Sequence, residues 1–178
     1  RKGVACYKLP GHVSWEEGAL VEPVAVGVHA IRRARMIGGE TVVVLGTGAI
    51  GLTAIAAARA MGAGKIFVTV RYKQQGDEAV RLGADAAFSP EEPELKKAVA
   101  ETTHGVGADI VIETVGGMTF TTLQQAISVA RGMGRIIVCG IFHAPAEIDL
   151  LIPYRKEQSI IFSQCYSYID EIHDFDIA

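Results

Sequence analysis

Cysteine is scarce in this chain: Cys6, Cys139 and Cys165 stand far apart and form neither a C-x-x-C pair nor a zinc-ribbon spacing. A disulfide framework is thereby excluded, and reduced thiols in a cytoplasmic protein are expected, with Cys139 and Cys165 as small buried hydrophobes rather than nucleophiles. Proline is also rare, at six in 178 residues, while 49% of the residues are hydrophobic, so the composition is not that of a disordered chain and predicts one sizeable core. Basic runs are missing: no stretch of Lys or Arg exceeds two residues and the net charge is -3, which leaves no field for nucleic acid. No apolar stretch approaches the roughly 18 residues needed to span a membrane, and no signal-peptide pattern opens the chain. It begins at Arg1 without Met, as expected of a segment trimmed or excised from something longer.

Against these absences, residues 41–51 (TVVVLGTGAIG) carry the strongest positive signal. An apolar run ending in G-x-G-x-x-G and leading into an Ala-rich segment reads as strand, tight turn and helix, the phosphate-binding start of a dinucleotide fold. Gly46 makes the turn, Gly48 lets backbone approach a pyrophosphate, and Gly51 lets helix and strand pack closely. Ala49 and Ile50 then open the helix whose N-terminus faces the phosphates. The motif occurs by chance in glycine-rich chains, so its flanks must decide.

Residues 4–9 read as a short strand closed by Pro10-Gly11. Ser14 and Glu17 have the spacing of a capping box, which predicts a helical turn from about Trp15. Pro23 fits the first turn of a second helix, with Val24, Val28 and Ile31 on one face and Arg32, Arg33 and Arg35 at its negative end. After the motif strand and helix, residues 65–70 (KIFVTV) read as a buried second strand, completing a βαβ unit of about 30 residues. Helices over 76–82, 94–103 and 120–130 alternate with strands over 86–88, 109–113 and 135–140. Gly132 and Gly134 are expected to end the last of these helices. A loop with Pro145 and Pro153 leads to a sixth strand over 159–162. The class is therefore α/β: a doubly wound, six-stranded parallel sheet of order 3-2-1-4-5-6 with helices on both faces, the Rossmann fold. Ligands in such sheets bind beyond the carboxyl ends of the strands, here at Gly46, Val70-Arg71, Thr114-Val115, Gly140-Ile141 and residues 163–165.

The end of strand two discriminates between dinucleotides. A carboxylate about 20 residues beyond the motif normally takes the ribose hydroxyls of NAD. Val70 stands there instead, followed by Arg71, Tyr72 and Lys73. Arg71, with Lys73, is placed to hold a 2′-phosphate and Tyr72 to lie against adenine, which predicts NADP over NAD; a solvated basic loop is the bland alternative. His29, His104 and His143 lack metal spacing and are expected to be structural or exposed.

Four further stretches extend the pattern: LVEPVAVGVHA at 20–30, LGAD at 82–85, VIETVG at 111–116 and GRIIVCG at 134–140. Together with the glycine motif they resemble, over nearly the whole chain, the cofactor-binding domain of the zinc-dependent medium-chain alcohol and polyol dehydrogenases. The resemblance implies a nicotinamide-dinucleotide-binding domain over 22–178, continuing as helix past Ala178. Residues 1–21 become the end of an absent N-terminal, GroES-like catalytic domain that carries a zinc-binding Cys and His and a proton-relay hydroxyl. It also puts Val26 beside the nicotinamide ring, Thr114 and Val115 along the cofactor, and the backbone at Gly140-Ile141 and from Ser163 to Cys165 at the carboxamide.

At Glu22 the cysteine-type members carry a zinc-ligating Cys, whereas sorbitol-dehydrogenase-like members carry a Glu near the metal, bound directly or through water. On its residues alone Glu22 is a first-turn helix carboxylate facing a positive dipole. The implied reaction is hydride transfer between NADP or NAD and a secondary alcohol, polyol or ketone, with zinc polarising the oxygen in the full-length enzyme. The isolated chain is expected to bind nucleotide without turnover. Edge strand 159–162 is expected to pair in a homodimer or homotetramer. Rival readings are a zinc-independent quinone or enoyl reductase of the same superfamily, a nucleotide-sensing regulatory module, and a SAM-dependent methyltransferase, whose acidic end to strand two is absent.

Overall fold

Five consecutive buried residues, Thr41–Leu45, form strand β1 at the middle of the sheet. The computed structural model describes residues 7–91, 93–145 and 147–178. β1 pairs in parallel with β2 (Lys65–Thr69) on one side and β4 (Ala108–Glu113) on the other. With β3 (Ala86–Phe88), β5 (Ala130–Val138) and β6 (Ser159–Phe162) the sheet has the order β3-β2-β1-β4-β5-β6. The predicted Rossmann architecture is thus the observed one.

Alternation along the strands sorts the core into two layers. Val42, Val44, Ile66, Val68, Ile110 and Ile112 pack under helices α1 (Trp15–Arg33), α2 (Ala49–Ala60) and α3 (Lys73–Arg81). Val43, Leu45, Phe67, Val111, Ile136 and Val138 pack under α4 (Glu94–Thr102) and α5 (Thr121–Val129). Each such side chain contributes about 1.5–3 kcal/mol on burial. α1 lies close on α2 because Gly27 has no side chain: a Cβ there would come within 2.6 Å of the Thr53 carbonyl carbon. Edge strand β6 has nothing on its outer side among the described residues. This is the edge on which the sequence reading sets a subunit contact, and Phe162 there is exposed.

Several expectations are corrected. The capping box at Ser14 and Glu17 forms, but the two expected helices are one, α1, running unbroken through Pro23. Proline costs the bond its missing N–H would give to residue 19, yet its fixed φ is helical, and burial of the following residues 25 and 27–31 holds the helix together. The boundary drawn at 21/22 therefore falls inside a helix. Gly132 and Gly134 do not end α5; they lie within β5, which begins at Ala130 beside an irregular register between Ala108 and Ile110. A short helix α6 (Leu151–Arg155) occupies part of the expected loop, with Pro153 in its first turn. The strand expected over 4–9 lies partly outside the described residues, and residues 7–9 are irregular.

The chain's last stretch is not the expected helix. Strands β7 (Tyr168–Ile169) and β8 (Ile172–His173) form an antiparallel hairpin, followed by a 3₁₀ turn at Asp174–Asp176. Asp174, with 0% exposure, fastens it to α1. Its carboxylate lies 2.7 Å from His29 Nδ1 and accepts from Arg32 Nη1 at 2.6 Å and Ser167 N at 2.7 Å. Arg32 also donates to the carbonyls of Ile169 and Ile172. His29 is thus structural, as expected. Arg32 does more than face a helix dipole: it anchors a hairpin 140 residues further on.

Candidate dinucleotide site

At the carboxyl end of β1 the chain turns at Gly46, whose φ of 93° lies in the left-handed region that favours glycine. The Gly46 N–H donates to Thr69 Oγ1 at 2.9 Å, tying the turn to β2. From the other side, Thr114 Oγ1 donates to the carbonyl oxygens of Leu45 at 2.9 Å and Gly46 at 3.2 Å. The expected cofactor residue Thr114 thus also braces the glycine turn. A Cβ on Gly51 would overlap the Gly46 carbonyl oxygen, so helix and turn touch where the motif requires it.

Gly48 is the N-cap of α2 and gives its first N–H groups no side-chain partner; nothing lies within 4 Å of where its Cβ would be. Ala49 and Ile50 form the start of the helix. Uncapped, with no acid in its first turn, the α2 N-terminus presents donors and a positive dipole end to open space. That space is a cavity of about 260 Å³ lined by Gly46, Gly48, Arg71, Gln75, Thr114 and Val115, among others. Donors for a pyrophosphate and room for it coincide, so these residues fit a dinucleotide.

Beyond β2, Val70 is half-buried against the core and Arg71 is exposed. Arg71 reaches the cavity wall and has no ion-pair partner among the described residues. Tyr72 is the N-cap of α3 and is 64% exposed. The helix start is corrected: α3 begins at Lys73 rather than at Gly76, and Lys73 Nζ pairs with Asp77 at 2.6 Å, one turn along the same helix.

Beyond the carboxyl ends of β4 and β5 lie two joined loops. The backbone carbonyl of Glu113 accepts from Cys139 N at 2.8 Å and Gly140 N at 3.1 Å, and Gly117 N donates to the Ile141 carbonyl at 2.8 Å. Phe120 stacks on Phe142 with ring centres 4.4 Å apart. Ile141 and Val115 remain exposed on this wall, while Ser163 is buried and donates its N–H to the Val138 carbonyl. Burial, with the nearby Glu113 charge adding to it, pushes the Cys139 thiol up to about 12, so it stays neutral as expected of a small hydrophobe. Cys165 is corrected: it is exposed, in a left-handed turn (φ 52°) after β6.

Val26 is half-buried on α1, and Glu22 is exposed on the same helix. As the eighth residue of the continuous α1, Glu22 is not the first-turn carboxylate expected. Among the described residues no group of three or more His, Cys, Asp or Glu is gathered that could hold a metal ion. The residue that sequence reasoning missed is Glu113. It appears as the last letter of an apolar strand, and the signal available was an acid at the end of a run otherwise buried on both faces.

The profile of the family described as zinc-binding dehydrogenase matches residues 49–177. The chain belongs to that family. Among its relatives is the sorbitol dehydrogenase of Ovis aries, 35% identical over 167 residues, which covers 92% of this chain and 47% of that protein. A Sinorhizobium meliloti 1021 protein, described as a zinc-binding dehydrogenase bound to NADP, superposes with a TM-score of 0.85 at 25% identity, covering 96% of this chain and 50% of that one. The 2R,3R-butanediol dehydrogenase of Bacillus subtilis does so with a TM-score of 0.79 at 33% identity, covering 88% and 44%. This member of the zinc-binding dehydrogenase family thus spans about half the length of the relatives it matches.

Proposed function

We propose that the chain is the nicotinamide-dinucleotide-binding part of a zinc-dependent oxidoreductase that moves a hydride between NADP or NAD and a secondary alcohol, polyol or ketone. The observation that carries this is the uncapped α2 N-terminus behind an open Gly48, beside a cavity that Gly48 and Arg71 both line. The sorbitol and butanediol dehydrogenases among the relatives support the substrate class. The dinucleotide, when bound, supplies the hydride acceptor or donor at its nicotinamide. The chain's own residues bind and orient it: the α2 N–H groups take the pyrophosphate, Arg71 the adenosine end, and the 114–115 and 140–141 backbones the nicotinamide end.

Arg71 makes NADP the favoured form, because a free guanidinium matches a 2′-phosphate and no carboxylate stands there to receive the NAD ribose. In a fluorescence titration NADPH should bind more tightly than NADH, and Arg71→Ala should weaken NADPH about tenfold while leaving NADH unchanged. Equal affinities, unmoved by the substitution, would overturn the preference. Glu22 enters the same proposal as one ligand of a zinc ion, direct or through water, whose other ligands come from beyond these residues. Metal analysis of the full-length protein should then show less zinc bound in Glu22→Gln, and unchanged zinc would remove Glu22 from the site.

A further inference from the structure

Glu113 closes β4 with its side chain at 0% exposure. Its Oε1 accepts three hydrogen bonds, from Val115 N and Gly116 N at 2.9 Å each and from Thr122 Oγ1 at 2.8 Å. All three partners of Oε1 are donors, which an acceptor-only carboxylate matches. Oε2 is buried and has no hydrogen-bond partner. It faces Gly140, where a Cβ would overlap it, so the backbone after β5 is fitted closely around this group. No Lys, Arg or His forms an ion pair with Glu113 among the described residues. By contrast, buried Asp174 has His29 and Arg32, and Glu40 at the opposite end of the sheet has Arg135.

A buried charge without a countercharge is costly unless one arrives with a ligand. The segments that Glu113 holds through its side chain (115–116) and its carbonyl (139–140) overlap those assigned above to the nicotinamide end (114–115 and 140–141). The two states of that end differ by one positive charge, present on the oxidised ring and absent from the reduced one. We infer that Glu113 is a specificity-determining residue whose buried, unpaired carboxylate is the countercharge for the oxidised nicotinamide and biases the site toward the oxidised cofactor. The inference rests on the dinucleotide reading and adds to it a selectivity between redox forms.

The test is to measure dissociation constants of NADP⁺, NADPH and 2′,5′-ADP for the chain and for Glu113→Gln, which keeps an acceptor for the three donors and removes the charge. The ratio Kd(NADPH)/Kd(NADP⁺) should fall at least about tenfold, the scale of one unit charge acting across about 12 Å at an effective dielectric of about 20. Affinity for 2′,5′-ADP, which has no nicotinamide, should not change. Val115→Glu, at an exposed position on the same loop, should move the ratio the other way, and it carries the test should Glu113→Gln fail to fold. A purely structural role would weaken both redox forms alike; a constant ratio with 2′,5′-ADP still bound overturns the inference alone. An unaltered chain that binds none of the three overturns the dinucleotide reading and this inference with it.

Discussion

Gly51→Ala should abolish dinucleotide binding and destabilise the fold, though it adds a single methyl group. That methyl would overlap the carbonyl oxygen of Gly46 and come within 3.1 Å of Thr114 Oγ1. The first obstacle is backbone, and it cannot swing aside as a flexible side chain would. Relief requires the turn to open or α2 to move off the sheet, and either displaces the N–H groups that take the pyrophosphate. Overpacking of this kind costs about 1–3 kcal/mol, and more where the backbone is pinned. Gly46 is pinned from both sides, by Thr69 and by Thr114. Binding should weaken at least ~100-fold, the consequence of misplacing a preorganised site by about an ångström. Calorimetric titration with NADPH checks the binding and a thermal melt the stability. Gly48→Ala provides the contrast: its Cβ meets no protein atom within 4 Å, so the fold should be spared and only the ligand's approach obstructed. Near-normal affinity in Gly51→Ala would show that the helix does not hold the ligand.

Asp174→Ala should produce the largest loss of stability outside the sheet. The substitution leaves the Arg32 guanidinium and the His29 ring buried, and takes the acceptor from Ser167 N–H. Removing one partner of a buried charge pair costs about 3–5 kcal/mol. For a chain of this length each kcal/mol shifts the melting temperature by about 2–4 °C, so a fall on the order of 10 °C is expected. Hydrogen exchange should show the 167–176 hairpin losing protection first. A drop below about 1 kcal/mol would mean that the hairpin contributes little to holding α1.

The middle of the sheet was legible because β1, β2 and β4 are almost wholly buried and so appear as largely apolar runs with glycine close by, at 46, 64 and 116. The glycine turn was legible because each of its glycines has a separate steric reason. Less legible was anything whose reason lies far away in sequence. Pro23 reads locally as a helix start, and only burial of the residues after it keeps α1 whole. Gly132 and Gly134 read as helix stops because the irregular pairing of β5 with β4 has no local signature. Asp174 reads as one acid in a polar tail, since its partners stand on α1. Lys73 and Arg71 look equivalent in sequence; the start of α3 separates them by giving Lys73 an acid one turn away. Glu113 was within reach, since an acid ending a fully buried strand asks what will neutralise it.

The contact between His29 and Asp174 joins positions 145 residues apart. Contacts of such span form late, because the entropy of closing so large a loop must be met before the contact returns anything. The charged residues of the first helix therefore wait, without their proper partner, until the last turn of this chain is in place. The glycine turn closes over shorter spans, 23 residues to Thr69 and 68 to Thr114. In kinetic terms the phosphate cradle closes smaller loops than the clasp between α1 and the 167–176 hairpin does.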